Sequence, residues 1–141
     1  MRAFDTQTIR DIIQFEKLSK CSVVDSVFDG DTLYFVVKTK NIYDLIGKDG
    51  ANIKRISAKV GKNLKVYLYS KDLNRFLSNV FQRKVKRFEV YEEDGRKMIR
   101  LFVLSRDKRF IVGQKGNNIK IMGEFLKRQF SITKIDIVEL K

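Results

Sequence analysis

The fold is decided by a stretch of sequence that occurs twice, as residues 46–54 (IGKDGANIK) and as residues 112–120 (VGQKGNNIK). Each copy has an apolar residue, a Gly-x-x-Gly turn and then Asn-Ile-Lys at the start of a helical pattern. A single Gly-x-x-Gly is weak evidence, because any chain with several glycines can contain one. Two copies that share their flanking residues indicate an internal repeat rather than a chance similarity of the two halves.

The patterns around the two copies follow the same order in both halves of the chain. In the first half they predict a helix at 6–19, strands at 22–28 and 33–37, a short helix at 42–46, a helix from the loop to Gly61, and a strand at 64–69. In the second half they predict a helix at 71–81, strands at 85–91 and 99–103, a short helix at 108–112, a helix through Leu126, and a strand at 132–138. Asp-Gly pairs at 29–30 and 94–95 are hairpin turn signals.

This order makes each half an α-β-β-α-α-β unit. We predict an α+β fold with two domains, residues 1–70 and 71–141, each a three-stranded sheet with helices packed on one face. Units of roughly 70 residues are near the lower limit for an independent core, so we expect the two to support each other.

The charge of the chain points to a polyanionic partner. Its 141 residues carry a formal net charge of +13. Residues 1–70 hold 12 Lys/Arg and 8 Asp/Glu, a net charge of +4, and residues 71–141 hold 18 and 9, a net charge of +9. Such a charge suits nucleic acid or a negatively charged membrane surface, and the plain alternative is a solvated, lysine-rich surface.

The residue types needed for most enzymatic or metal chemistry are scarce. The chain has no histidine, which removes the usual general base at neutral pH and the commonest metal ligand. Its single cysteine, Cys21, allows no internal disulfide, and we predict that it is a small buried residue. No apolar segment approaches the ~20 residues that span a bilayer, and residues 1–5 lack the apolar run of a signal peptide. We therefore expect a cytoplasmic protein that is not an enzyme and holds no metal or cofactor.

The Gly-x-x-Gly between two helices, beside a three-stranded sheet, resembles the KH domain. The loop of that module clamps the backbone of about four nucleotides. Of its two topologies, type II has the helix and two strands before the loop and one strand after it. Only a single strand is predicted between the second loop region and Lys141, which favours type II.

The chain also resembles the small archaeal NusA-type transcription factors, which consist of little more than tandem type II KH domains. The matching stretches are residues 9–16 (IRDIIQFE), 35–37 (FVV), 45–55 (LIGKDGANIKR) and 112–120, so the resemblance covers nearly the whole chain. Two features depart from the family: residues 79–85 lack an expected proline, and the second loop reads IVGQKG instead of Ala-Ile-Gly-basic-Gly-Gly. The resemblance implies binding of single-stranded RNA and action with RNA polymerase in transcription termination or antitermination.

The candidate RNA-binding residues lie in the two loops and at the start of the helix after each loop. Glycine lets the backbone approach a sugar-phosphate chain closely, and the helix N-terminus favours phosphate. The full set is Gly47, Lys48, Asp49, Gly50, Asn52, Lys54, Arg55, Gly113, Gln114, Lys115, Gly116, Asn117, Asn118 and Lys120. Asn52 and Asn118 have capping of the turn as an alternative role, and each charged helix residue has plain solvation as its alternative.

The two loops are predicted to be unequal. Asp49 partly cancels Lys48 in the first loop, whereas Gln114 and Lys115 give the second loop a net positive charge. Because the second half is also the more basic one, we expect it to contribute more of the electrostatic affinity for RNA.

Two further features of the sequence each have two open interpretations, and a third feature has one. Four apolar residues beside the loops are either the floor of a base-binding groove or ordinary core: Ile46, Ile53, Val112 and Ile119. The basic run at 83–87 either follows a phosphate backbone between the loops or protects an exposed edge strand. The 11 Phe and 5 Tyr are interpreted mostly as core residues and not as stacking platforms.

Three rival functions remain open at this point. One is a ribosome-associated or ribosome-assembly protein with KH domains, and another is a protein-interaction module that docks on polymerase and binds RNA only non-specifically. An enzyme, of which a nuclease is the least implausible kind, is the third. The expected partners are single-stranded RNA and RNA polymerase, with no membrane partner, and we expect a monomer.

Overall fold

The computed structural model describes residues 5–141, which form two compact units divided between Tyr69 and Ser70. Residues 1–4 lie outside the described residues, so the expectation of no signal peptide there has no structural counterpart. In the described part of the chain, no helix combines the length and the apolarity that crossing a membrane requires.

The first unit has a mixed three-stranded sheet. Its elements are α1 (Thr6–Ser19), β1 (Ser22–Phe28), β2 (Thr32–Lys38), α2 (Ile42–Ile46), α3 (Ala51–Val60) and β3 (Asn63–Leu68), with a short 3-10 turn at Lys48–Gly50. The strand order is β1-β2-β3, in which β1 and β2 are antiparallel and β2 and β3 are parallel. The parallel pair is possible because α2 and α3 form the crossover between its strands.

The second unit repeats this arrangement. Its elements are α4 (Leu73–Val80), β4 (Val85–Glu93), β5 (Arg96–Leu104), α5 (Ser105–Val112), α6 (Asn117–Phe130) and β6 (Ile132–Leu140), with a 3-10 turn at Gln114–Gly116. The strand order is β4-β5-β6, again with an antiparallel and then a parallel pair. The α+β class and the α-β-β-α-α-β order of both halves are therefore confirmed.

Two helices begin at residues other than the predicted ones, and a side-chain cap explains one of the two differences. Helix α4 begins at Leu73 and not at residue 71, because the Asp72 side chain caps it by accepting a hydrogen bond from the Arg75 N–H at 3.0 Å. Helix α5 begins at Ser105, three residues before the predicted start.

The Asp94-Gly95 turn has φ of 54° and 76°, as a two-residue hairpin requires.

The core of the first unit lies between the helices and one face of β2. Phe15 of α1 and Phe35 of β2 are fully buried with their ring centroids 4.7 Å apart. The rest of this cluster consists of Cys21, Leu33, Val37, Leu45 and Ile56. The burial of Leu33, Phe35 and Val37 on this face of β2 and the burial of Cys21 agree with the sequence-based predictions.

Strand β2 is buried on both faces, which was not predicted. Tyr34 and Val36 point away from the cluster around Phe35, yet they are 5% and 0% exposed. A strand covered on both faces has a continuous apolar run instead of an alternating one, and residues 33–37 form such a run. The predicted helices on one face therefore describe only part of the environment of β2.

The core of the second unit is built from β5 and the helices α4 and α6. Ile99, Leu101 and Val103 on one face of β5 are fully buried. The helices contribute buried residues at helical spacing: Phe76, Leu77, Val80 and Phe81 from α4 and its end, and Ile121, Met122, Phe125 and Leu126 from α6. All eight residues lie within the two segments that were predicted to be helices.

A buried ion pair fixes α1 against the turn between α3 and β3 in the first unit. The Asp11 carboxylate is 3% exposed and forms an ion pair with the Lys62 ammonium. The Gln7 amide also donates a hydrogen bond to Asp11, at 3.0 Å. A buried carboxylate needs such partners, because an unpaired buried charge is costly.

Ionisation of Tyr67 makes the stability of the fold sensitive to high pH. Burial, together with the neighbouring Tyr34, raises the pKa of the Tyr67 phenol to about 12. An unfolded chain loses this proton at about pH 10, so the folded state holds it more tightly. The free energy of unfolding should therefore fall as pH rises from about 10 towards 12. A Tyr67→Phe variant should lose less stability than the wild type between about pH 9 and 11 in urea unfolding. Equal losses in the two proteins would contradict this assignment.

Candidate nucleic-acid interface

The first glycine of each loop allows a close approach between the loop and the helix that follows. Gly47 and Gly113 have φ of 78° with ψ of 171° and 173°, a region that only glycine adopts readily. A Cβ on Gly47 would lie 2.8 Å from the backbone nitrogen of Asn52, and one on Gly113 would lie 2.6 Å from Asn118 Cβ. Glycine is therefore required at both positions by the packing of the loop itself, whether or not a ligand is bound.

The second glycine of each loop has no close neighbour on the side where a Cβ would point: the space is open at Gly116, and at Gly50 a Cβ would make only ordinary van der Waals contact. Gly50 and Gly116 are left-handed, with φ of 76° and 74°. No atom of residues 5–141 lies within 4 Å of a Cβ built on Gly116, and the nearest to one on Gly50 is Lys54 Cε at 3.7 Å. The residue before each is also left-handed, with φ of 54° in both loops. The two loops thus share one conformation and leave room for a ligand at the second glycine.

Two asparagine side chains tie the helix after each loop to the helix before it. The Asn52 amide donates a hydrogen bond to the Leu45 carbonyl at 2.8 Å, and the Asn118 amide donates to the Ile111 carbonyl at 3.0 Å. These bonds satisfy carbonyls at the C-terminal end of a short helix, which have no partner within that helix. Of the two roles considered, the structure thus contains a capping role, whereas contact with a ligand stays a prediction.

The helices that follow the loops begin without a side-chain cap. Asp5, Asn41 and Asp72 cap α1, α2 and α4, but Gly50 and Gly116 stand at the cap positions of α3 and α6 and supply no side chain. The N–H groups of Gly50, Ala51, Gly116 and Asn117 donate to carbonyls of their own loops, and the start of each helix has a partial positive charge. Each loop therefore presents a helix N-terminus that is suited to an anion such as phosphate.

The predicted site residues divide by exposure. The charged residues of the loops and helix starts, together with Gln114, are exposed: Lys48, Asp49, Lys54, Arg55, Gln114, Lys115 and Lys120. The glycines and asparagines are partly buried: Gly47, Gly50, Asn52, Gly113, Gly116, Asn117 and Asn118. Within each unit the structure brings its own predicted residues together around one loop.

The two loops differ in charge at one equivalent position. Asp49 in the first loop and Lys115 in the second have the same backbone conformation and both side chains are exposed. Among the residues that the structure describes, no carboxylate lies within ion-pair distance of Lys115 or Lys120. The second loop therefore has more positive charge available for a phosphate than the first.

The apolar residues beside the loops are partly buried. Ile53 packs against the core cluster of the first unit while keeping some exposed surface. Ile46, Val112 and Ile119 have the same intermediate exposure. This position, between core and solvent, suits a groove floor as well as the margin of a core, so the groove stays a prediction.

The basic run at 83–87 begins the edge strand β4, and part of its charge is engaged within the second unit. The Arg87 guanidinium lies 3.6 Å from the centroid of the Phe102 ring and 2.7 Å from a Glu89 carboxylate oxygen. The hydrogen bond from Arg87 lowers the pKa of Glu89. Lys84 lies 3.7 Å from Asp107. These contacts agree with the edge-strand interpretation, and a path for phosphate along the run stays a prediction.

Sequence reasoning missed one exposed aromatic residue beside the first loop. Tyr43 in α2 is 80% exposed, although the aromatic residues were interpreted mostly as core. Its carbonyl accepts a hydrogen bond from the Gly47 N–H at 2.8 Å, so it stands one helical turn before the loop. The available signal was that Ile42 and Leu45 form the apolar side of this short helix, which leaves Tyr43 on the other side.

Comparison with known proteins gives the family of the chain. No family model matches it. A protein of Methanococcus vannielii named "Probable transcription termination protein NusA" is 33% identical over 135 residues, which are 95% of this chain and 78% of that protein. A protein of the same name from Methanocaldococcus jannaschii is 31% identical over 135 residues, 94% of this chain and 73% of that protein. The chain belongs to the archaeal NusA family.

Other similar proteins match the NusA-family chain over both of its units. A protein of Thermoplasma acidophilum with the same printed name is 26% identical over 134 residues, 94% of this chain and 93% of that protein. A solved structure titled "Crystal structure of APE1850" is 29% identical, with a TM-score of 0.79 over 92% of this chain and 96% of that one. The chain therefore has a fold similar to that of a solved protein over most of both chains.

The two glycines of the second NusA loop should differ in how well they tolerate a side chain. Gly116→Ala places a Cβ in open space and should cost about 1–2 kcal/mol for its left-handed backbone. Gly113→Ala adds an overlap with Asn118 and should cost at least about 1 kcal/mol more. Urea unfolding of the two variants measures the difference. Equal losses would mean that the close approach of Gly113 to Asn118 does not constrain the loop.

Proposed function

We propose that this NusA-family chain binds single-stranded RNA and acts with RNA polymerase in transcription termination or antitermination. In this proposal the two units are tandem type II KH domains, residues 1–70 and 71–141, and each Gly-x-x-Gly loop holds the RNA backbone. The protein is a cytoplasmic monomer without a cofactor, and it binds RNA without catalysing a reaction on it.

One observation carries the proposal, namely that both loops combine a second glycine without a close steric neighbour and a helix start without a side-chain cap. Phosphate needs positive potential without steric obstruction, and this arrangement offers both twice in a chain of net charge +13. The printed names of the relatives support the part of the proposal that concerns transcription termination.

Two linked loops should bind one RNA more tightly than either loop alone. Each KH loop clamps about four nucleotides, and the covalent link between the units raises the effective concentration of the second loop once the first is occupied. Because phosphate contacts release counterions, log affinity should fall with log salt concentration at a slope near −0.7 per neutralised phosphate.

The charge difference between the loops predicts a ranking of single substitutions. Lys115→Ala should weaken binding of a short single-stranded RNA by about 5-fold, whereas Lys48→Ala should weaken it by about 2-fold, because Asp49 already offsets the charge of Lys48. Lys127→Ala, an exposed lysine near the end of α6, is the matched control and should have little effect. Fluorescence anisotropy at fixed salt measures all three, and the reverse ranking of Lys115 and Lys48 would reject the unequal-loop proposal.

Reversing the loop charge tests the binding site as a whole. A variant with Lys48→Asp, Gln114→Asp and Lys115→Asp should lose RNA binding and keep its unfolding transition, since all three side chains are exposed. A control with Lys17→Asp and Lys127→Asp removes nearly the same charge from helix surfaces instead of loops and should retain most of the affinity. Normal RNA binding by the loop variant would mean that the loops are only turns.

Binding to polymerase needs a separate measurement. The chain should associate with purified archaeal RNA polymerase in the absence of RNA, and the loop variant should associate equally well. A loop variant that loses RNA and keeps polymerase would separate the two activities. Failure of the wild type to bind polymerase would restrict the proposal to RNA binding.

A further inference from the structure

The side chain of Tyr43 is far more exposed than any other large apolar side chain in the described part of the chain. Its exposed fraction is 80%, and the next most exposed is Ile13 at 58%. The ring contributes little to the fold, because it buries only a small part of its apolar surface. The exposure of the ring beside a loop is therefore better explained by a contact with a binding partner than by a role in the fold.

The backbone of Tyr43 is fixed relative to the first loop. Its N–H donates a hydrogen bond to the Asn41 side chain at 3.0 Å, and its carbonyl accepts one from Gly47 at 2.8 Å. Only the two side-chain torsions of the ring remain free to change. A tyrosine on such a fixed backbone offers a large flat contact surface at a small entropic cost.

The internal repeat places Arg109 at the position in the second unit that corresponds to Tyr43. The Arg109 carbonyl accepts a hydrogen bond from the Gly113 N–H at 2.9 Å, just as Tyr43 does from Gly47. Arg109 is exposed, and the described residues place no carboxylate within ion-pair distance of it. Both residues therefore stand one helical turn before the first glycine of a loop, and both carry a planar group at the end of the side chain.

Planar side chains are what unstacked RNA bases bind. In single-stranded RNA the bases are free to stack on aromatic rings or on the plane of an arginine guanidinium. Such stacking has little dependence on sequence, because every base has a π-face. Tyrosine and arginine share this property and otherwise differ in shape and charge, so the shared position points to a common contact with a base.

We propose that Tyr43 and Arg109 are stacking platforms, each of which receives one RNA base beside the backbone held by its loop. The proposal rests on the proposed RNA-binding function and adds a base contact to it. In this proposal the two units bind RNA by stacking and by charge in different proportions. The first unit, with Asp49 in its loop, relies more on uncharged stacking, and the second, with Lys115 and Arg109, relies more on charge.

Three substitutions of Tyr43 separate stacking from apolar contact. The probe is a fluorescein-labelled single-stranded oligo(A) of roughly 12 nucleotides, longer than the about eight that two loops clamp. Tyr43→Phe should bind it as tightly as the wild type, because the ring is kept. Tyr43→Ala should bind roughly 5- to 150-fold more weakly, the range for removing one base–aromatic stack. Tyr43→Leu should resemble Tyr43→Ala, and Ile13→Ala is the control for loss of an exposed apolar side chain elsewhere.

Arg109→Lys tests the guanidinium plane in the second unit. This substitution keeps the positive charge and removes the planar group. Affinity for the same oligonucleotide should fall roughly 2- to 5-fold, while the dependence of log affinity on log salt concentration should stay unchanged. A change in the salt slope without that loss, or no change in affinity, would contradict a stacking role for Arg109.

A set of oligonucleotides of about eight nucleotides, the length that two loops clamp, identifies the stacked base when a single abasic site is moved one nucleotide at a time. One member should weaken wild-type binding by the same factor as Tyr43→Ala, and the two changes together should add nothing further. The proposal is wrong if Tyr43→Ala or Arg109→Lys binds as tightly as the wild type while the loop variant loses binding. If the wild type itself fails to bind the oligonucleotide, both the RNA-binding function and the platforms are wrong.

Discussion

The close contact between each first loop glycine and the asparagine five residues later is the constraint on which the candidate site depends. Gly47 and Gly113 let the loop backbone lie against Asn52 and Asn118. The same asparagines bind the carbonyl end of the preceding helix. Two helices are thus joined through a turn of fixed shape, and the second glycine of that turn stands at the cap position of the second helix. A side chain at the first glycine would separate these parts.

The sequence predicted the features of the fold that repeat along the chain. Helices and strands followed from periodic apolar residues, and the two Gly-x-x-Gly stretches gave the order in each half. It did not predict contacts between residues distant in sequence, such as the ion pair of Asp11 with Lys62 or the burial of Val36. The roles of the asparagines were left open for the same reason, since their partners lie on another helix.

The two loops have the same backbone conformation but differ in the chemistry of their exposed side chains. The loops share their φ and ψ angles, whereas the exposed positions around them differ: Asp49 corresponds to Lys115, and Tyr43 corresponds to Arg109. The backbone conformation follows from glycines and asparagines that both units retain. The surface is free to differ, because exposed side chains contribute little to the stability of a fold. Under the proposed function, the second unit would bind RNA mainly through positive charge. The first unit would bind it through its loop and through stacking of a base on the Tyr43 ring.

The central claim is that the two loops are where RNA contacts the protein, and backbone amide NMR tests it most directly. Isotope-labelled protein titrated with single-stranded RNA should show its largest shifts at the amides of Gly50, Ala51, Gly116 and Asn117, at the starts of α3 and α6. The amides of α1 around Ile9 and Ile13, an exposed apolar face of the first unit, should stay unchanged. The account would be contradicted if the amide shifts were concentrated on α1 or on the edge strand β4 and the amides of both loops did not shift.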